Sequence, residues 1–318
     1  MMCKFSILFA TFCTFCLHKN VNGNGFDYEH QSKWYDDYQQ CGFSRQSPIE
    51  LNSNEAIISF DMPIINFVHY DVPYMEAVRS ENNGHTANIQ FPTIIPDSAF
   101  ISGGPLLENT TYIMESLHFH WGSNDIHGSE HVLNSERYSM EMHLLHRNTK
   151  YATVEEAREH DDGLAVLAVL YKVNTTAAND FEGLNEVINV LESISEFNCT
   201  TEIETFMLSV LLGDMDVTEF YTYAGSLTTP PCSQAVTWVV FSHAITITHS
   251  QMKRFHKMSD DHGSTMENNY RALQARGNRK VYLRNKRKVL ESSVQSPLYW
   301  ELLEKLKQQE SAAESARK

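Results

Sequence analysis

Apolar and β-branched residues fall in short runs along most of this chain. Between 47 and 121 the pieces Ile57-Ile58, Ile64–Val68 and Ala87–Phe91 alternate with turn signals at Asn82-Asn83-Gly84 and Gly103-Gly104-Pro105. Strand-like runs return at 138–146, 164–173, 206–212 and 235–241. Helical spacing is confined to shorter stretches, 153–160 and 180–196. No internal repeat and no Gly/Ser/Pro linker divides the chain. The pattern predicts one β-dominated domain with helices on its surface.

Both ends depart from this pattern. Lys4 precedes an apolar run from Phe5 to Leu17, and the small polar Val21-Asn22-Gly23 follows, which reads as a secretory leader over 1–23. The run is too short to span a bilayer, and no later stretch approaches 18 apolar residues. The domain is expected over 24–283. A charged tail, 284–318, has Ser296 and Pro297 placed to start a helix, with Leu298, Leu302, Leu303 and Leu306 on one face. That helix would dock on the domain, fray in solvent, or self-associate. Arg284-Asn285-Lys286-Arg287 resembles a proprotein-processing site, or is a solvated basic patch. The tail has no apolar end of the kind a lipid anchor needs.

Composition sharpens the class. The 42% hydrophobic content, with 17 Phe and 14 Tyr, suffices for a sizeable core. The net charge of −15 argues against nucleic acid and anionic membranes as partners. Cys3, Cys13 and Cys16 lie in the leader, so Cys41, Cys199 and Cys232 remain. One disulfide and one spare thiol is the simplest arithmetic. Sequons at Asn109, Asn174 and Asn198 agree with secretion and glycosylation.

The candidate chemistry is a histidine cluster. His118 and His120 are two apart in an apolar run, so a strand would project both from one face. With 15 histidines in 318 residues, chance supplies about 0.7 such pairs, so the spacing alone means little. A second strand-like run puts Glu141, His143 and Leu145 on one face. Three neutral imidazoles with an open fourth position belong to catalytic zinc, and Glu141 is placed to take the other N–H of a ligating histidine. No His-Glu-x-x-His and no Gly-x-Ser-x-Gly occurs, so peptidase and serine-esterase readings lack support.

Six motifs give the cluster a context. They are Leu117-His118-Phe119-His120-Trp121-Gly122, Gly128-Ser129-Glu130-His131, Glu141-Met142-His143, the run Gly225–Cys232, Gln46-Ser47-Pro48-Ile49 and Asn82-Asn83-Gly84-His85. Together, in the family's order along the chain and over roughly 26–283, they resemble the α-class carbonic anhydrases of the secreted type. The resemblance implies a mainly β single domain built on a large, twisted, mostly antiparallel central sheet with short surface helices. It implies reversible hydration of carbon dioxide to bicarbonate by zinc-bound hydroxide, with Zn2+ on His118, His120 and His143. Thr228 and Glu130 would aim the hydroxide, and His85 would shuttle the proton. Tyr28, Asn83 and Asn88 would order the intervening waters. Leu145, Val166, Leu227, Thr228, Thr229, Val236 and Trp238 would line the substrate pocket. Glu141, Ser116 and Asn269 would support the ligands, with His131 and His146 as buried hydrogen-bonded residues. Cys41 and Cys232 would form the disulfide and leave Cys199 as a spare thiol. Sulfonamides and anions would be inhibitors.

The chain departs from that family at Ser116, where many members carry a Gln that bonds the first zinc histidine, and at Ala272, where Pro is frequent. Some family members are binding modules that have lost zinc ligands. A secreted binding module with weak or no catalysis is therefore the alternative function, and the retained His118, His120, His143, Thr228 and Glu130 speak against it.

Overall fold

The computed structural model describes residues 25–93 and 97–285, together with the backbone of Phe15 and Cys16. The leader expected over 1–23, apart from that pair, and the helix expected from Ser296 lie outside the described residues. The strands that matter here are β1 (Ile57–Ser59), β2 (Val78–Asn82), β3 (Ala87–Gln90), β4 (Tyr112–Trp121), β5 (Met140–Asn148), β6 (Leu164–Val173), β7 (Cys199–Ile203), β8 (Phe220–Gly225), β9 (Val236–Phe241) and β10 (Tyr282–Arg284). They run side by side in the order β7-β2-β3-β4-β5-β6-β9-β8-β10-β1 within a 14-stranded sheet. Neighbours pair antiparallel except at β6–β9 and β10–β1. The expected mainly β, mostly antiparallel architecture is borne out.

The sheet buries both faces. In β6, Ala165, Leu167, Val169 and Tyr171 enter one apolar cluster while Leu164, Val166, Ala168 and Leu170 enter the other. This is why 164–171 reads as an unbroken apolar run. In β5 the alternation separates chemistry from core. Met140, Met142 and Leu144 join the first cluster, whereas Glu141, His143 and Leu145 face the second.

β4 needs a correction of phase to match. Leu145 lies opposite Ser116, but His146 lies opposite Met114, so Glu115 is an extra residue in β4. This bulge lets Tyr112 and Met114 before it, and Leu117, Phe119 and Trp121 after it, all point into the first cluster. His118 and His120 are thereby turned to the opposite face. Arg147 Nε donates to Glu115 Oε1 at 2.5 Å, beside the bulge.

Helices α1 (Val154–Ala157), α2 (Asn185–Leu191) and α3 (His249–Phe255) are short. The first two fall inside the predicted 153–160 and 180–196, and Glu182–Leu184 is a 3₁₀ turn. The strand expected at 206–212 is instead a 3₁₀ turn, Leu208–Leu211. Three residues per turn put Leu208 and Leu211 on one side, and both are fully buried. A short apolar run does not distinguish this from a strand. The sequence reading also missed α3. Its start is a capping box, in which the Thr248 hydroxyl accepts from Gln251 N and the Gln251 side chain accepts from Thr248 N. Met252 and Phe255 anchor it, each burial contributing about 2 kcal/mol.

Cysteine pairing partly corrects the sequence reading. Cys41 and Cys232 are joined across 191 residues, as the resemblance implied. Cys199 is disulfide-bonded, so it is not a spare thiol. Phe15–Cys16 forms a short antiparallel strand pair with Cys199–Thr200, with Cys16 opposite Cys199 in the backbone register.

His146 carries a stability prediction. It is fully buried, with Nε2 2.5 Å from the Tyr70 hydroxyl and Nδ1 3.0 Å from the Leu144 carbonyl. Burial pushes it down to about 3 from 6.5. The unfolded chain takes up this proton below pH 6.5, and the folded chain does not until about pH 3. Stability linked to this group is therefore intact above pH 6.5 and lost between those values. At pH 4.5 the loss is about 3 kcal/mol. Urea unfolding at pH 7 and pH 4.5 should show His146→Gln losing about that much less than wild type. Equal losses in the two proteins would refute the assignment.

Candidate metal centre

The pairing of β4 with β5 sets His143 directly opposite His118, and Glu141 opposite His120. Three imidazoles meet as a result. His143 Nδ1 lies 3.1 Å from His120 Nε2 and 3.3 Å from His118 Nε2. His120 and His143 are buried and His118 is half-buried.

The outer nitrogens decide what the inner ones can do. His120 Nδ1 donates to the Asn269 carbonyl at 2.7 Å, and His143 Nε2 donates to Glu141 Oε1 at 2.7 Å. Burial, together with the neighbouring imidazoles, holds His118 well below the usual histidine range and His120 below it. A neutral ring whose N–H points outward turns a lone pair inward. Two lone pairs 3.1 Å apart repel unless a cation lies between them. Tetrahedral zinc with bonds of about 2.0–2.1 Å spaces its ligand nitrogens by about 3.3–3.4 Å. The donor set therefore fits zinc. His131, Glu141 and His143 also cluster, but hydrogen bonds account for that group.

Glu141 is the centre of the supporting network. Its Oε1 also lies 2.6 Å from His131 Nδ1, and its Oε2 accepts the backbone N–H groups of Glu130 and His131, each at 2.8 Å. Burial alone would raise its carboxyl. The adjoining His131 and His143 outweigh that and hold it well below the carboxylate range. His131 continues to the Tyr223 hydroxyl at 2.8 Å, which donates to Ser47 Oγ at 2.9 Å. Gly128 opens this loop, and a Cβ there would meet Ser139 O at 2.0 Å.

Glu130 is fully buried. Its Oε1 accepts from Arg271 N at 2.7 Å, whereas its Oε2 has no hydrogen-bond donor and sits 3.5 Å from His120 Nε2. Thr228 is buried in the loop after β8, and no hydrogen bond links it to Glu130 among the described residues. Arg271 escaped the sequence reading. Its guanidinium donates to Gln46 Oε1 at 2.8 Å, to Ser47 O at 2.9 Å and to Cys41 O at 3.0 Å. It thus ties the Gln46-Ser47-Pro48-Ile49 motif to the backbone that holds Glu130. The only signal for it in the sequence was its place two residues after Asn269.

Residues 29–285 match the family described as eukaryotic-type carbonic anhydrase. This chain belongs to the eukaryotic-type carbonic anhydrases. It is 34% identical to mouse carbonic anhydrase 6 over 267 residues, which covers 83% of this chain and 81% of that protein. It is 32% identical to cattle carbonic anhydrase 6 over 254 residues, covering 79% and 76%. It is also 32% identical to mouse carbonic anhydrase 15 over 255 residues, covering 78% of each.

In this carbonic anhydrase the remaining expected residues fall into two groups. Val166, Val236 and Trp238, with the half-buried Leu145 and Leu227, belong to one apolar cluster on the histidine side of the sheet. The Trp238 ring centre is 4.8 Å from that of His143, and Trp238 Nε1 donates to Ser226 O at 3.0 Å. Thr229 is half-buried beside Thr228.

The second group surrounds His85. Its ring stacks on Phe26 with centres 4.1 Å apart, and Tyr28 meets it edge-on at 6.4 Å. Burial lowers His85, opposed by the charges of Asp261, Asp260 and Asp27. A cavity of about 570 Å³ opens here, lined by Phe26, Asp27, Tyr28, His85, Asp261 and His262 among others. Asn269 joins this region to the histidines, since its Nδ2 donates to His85 O at 2.9 Å and its Oδ1 accepts from Trp121 N at 2.6 Å. Asn88 lies opposite His118 and donates to Glu81 at 3.2 Å. Asn83 spends its side-chain oxygen on the turn, accepting from His85 N at 3.0 Å and Thr86 N at 2.9 Å.

Asn109 and Asn174 are exposed and Asn198 is half-buried. Among the described residues no helix is long and apolar enough to cross a membrane.

Proposed function

We propose that this chain is a secreted zinc enzyme that reversibly hydrates carbon dioxide to bicarbonate and a proton. The observation that carries the reading is the approach of His143 Nδ1 to His120 Nε2 at 3.1 Å and to His118 Nε2 at 3.3 Å, while the outer nitrogens of His120 and His143 bond to Asn269 and Glu141. His118, His120 and His143 would hold the zinc, which would make hydroxide available at neutral pH by lowering the pKa of water.

The chain's own residues do the rest. Thr228 turns its hydroxyl hydrogen to Glu130 Oε2, the buried acceptor without a donor. Its oxygen then accepts from the nucleophile and fixes the direction of attack. Leu145, Val166, Leu227, Val236 and Trp238 offer carbon dioxide an apolar wall, with Thr228 and Thr229 at its polar edge. His85 receives the released proton through water near Tyr28, Asn83 and Asn88, and passes it to the acidic cavity outside. Sulfonamides and small anions should compete at the same centre. The apolar N-terminal run, the sequons and the Cys41–Cys232 disulfide support an extracellular location.

The deciding experiment combines metal analysis with stopped-flow carbon dioxide hydration on the purified protein. One zinc per chain and hydration well above buffer are expected. Stoichiometric zinc with no hydration above buffer would defeat the reading. His85→Ala should slow hydration at least about tenfold at low buffer, with recovery on adding imidazole. Absence of that recovery would remove His85 from the proton path.

A further inference from the structure

The three imidazoles are not equally held. His120 and His143 each give their outer N–H to a fixed acceptor, the Asn269 carbonyl and Glu141. Among the described residues none accepts from His118 Nδ1. His118 is also the one member of the set that is not fully buried. The nearest side chains from the neighbouring strand are turned elsewhere. Asn88 and Gln90 donate to Glu81 at 3.2 and 3.0 Å. The next position on the same face of β4 is Ser116, opposite Leu145 and Gln90. Its hydroxyl is short and makes no hydrogen bond to the described residues.

We infer that His118 is the loosely held arm of the metal site and that Ser116 makes it so. This rests on the zinc reading above. Solvent, rather than protein, binds the outer N–H of His118, so nothing locks the tautomer and plane of that ring. Metal then leaves through this arm first. A glutamine at 116 would extend an amide oxygen toward Nδ1 and brace the third imidazole as the other two are braced. Partners of this kind typically change metal affinity 10–100-fold.

The test uses zinc-loaded wild type, Ser116→Gln and Ser116→Met. Methionine matches glutamine in length without its amide acceptor. Zinc transfer to excess chelator is timed at pH 7.5. Ser116→Gln should release zinc about tenfold more slowly than wild type, and Ser116→Met should not. A second readout needs no variant. In the NMR spectrum of zinc-loaded wild type, the imidazole N–H of His118 should exchange with water at least about tenfold faster than those of His120 and His143. Equal protection of all three, or equal slowing by Gln and Met, overturns the inference and leaves the proposed function standing. A chain that takes up no zinc overturns both.

Discussion

Replacing His143 with alanine is expected to abolish metal binding and return carbon dioxide hydration to the buffer background. His143 Nδ1 is the common neighbour of the other two inner nitrogens, at 3.1 and 3.3 Å. Without it, only two donors from a single strand remain. Water not bound to zinc keeps its ordinary pKa, about 8–9 units higher, so the supply of hydroxide at neutral pH falls by about eight orders of magnitude. The change also strips Glu141 of one of its two histidine partners. A buried charge that loses a partner costs up to about 3–5 kcal/mol, so the variant should melt earlier. Metal content, hydration and circular dichroism should be measured on one preparation. A folded variant that keeps stoichiometric zinc and full activity would exclude His143 from the centre.

Glu130→Gln should retain zinc yet lose activity by about 10²–10³-fold. Glu130 is two acceptors in a buried position, one used by Arg271 N and one open toward the histidines. A carboxylate accepts from the Thr228 hydroxyl, whereas an amide can present N–H groups there and reverse the direction of that hydrogen bond. Aim is then lost while the ligands stay in place. Activity within about threefold of wild type, at equal zinc content, would show that Glu130 does not orient anything.

Much of this was legible in the chain. Strict alternation in 138–146 put Glu141, His143 and Leu145 on one face, and the fold keeps them there. The run 164–173 matches β6 residue for residue, because its first eight residues are buried on both faces and carry no polar interruption. The strand expected at 206–212 failed because its apolar spacing also suits a 3₁₀ turn. Helix α3 was missed although its Thr248/Gln251 capping box was in plain view. Cys199 was misjudged because counting cysteines after removing a leader assumes which cysteines remain.

Sequence by itself determined the residue types at the centre: two histidines two apart, a third beside a glutamate, and a family context in which they matter. It could do so because strand alternation is a local rule. The tertiary structure decided whether those residues meet. The extra Glu115 in β4 reverses the phase of the strand, so that His118 and His120 leave the core side on which Tyr112 and Met114 lie. A bulge is visible only against a partner strand, and the register of β4 on β5 is set by packing across about 25 residues of chain. The unequal support of the three histidines was decided in the same way. It depends on Asn269, 149 residues beyond His120, being folded back beneath it, and on the absence of any comparable partner for His118 among the described residues.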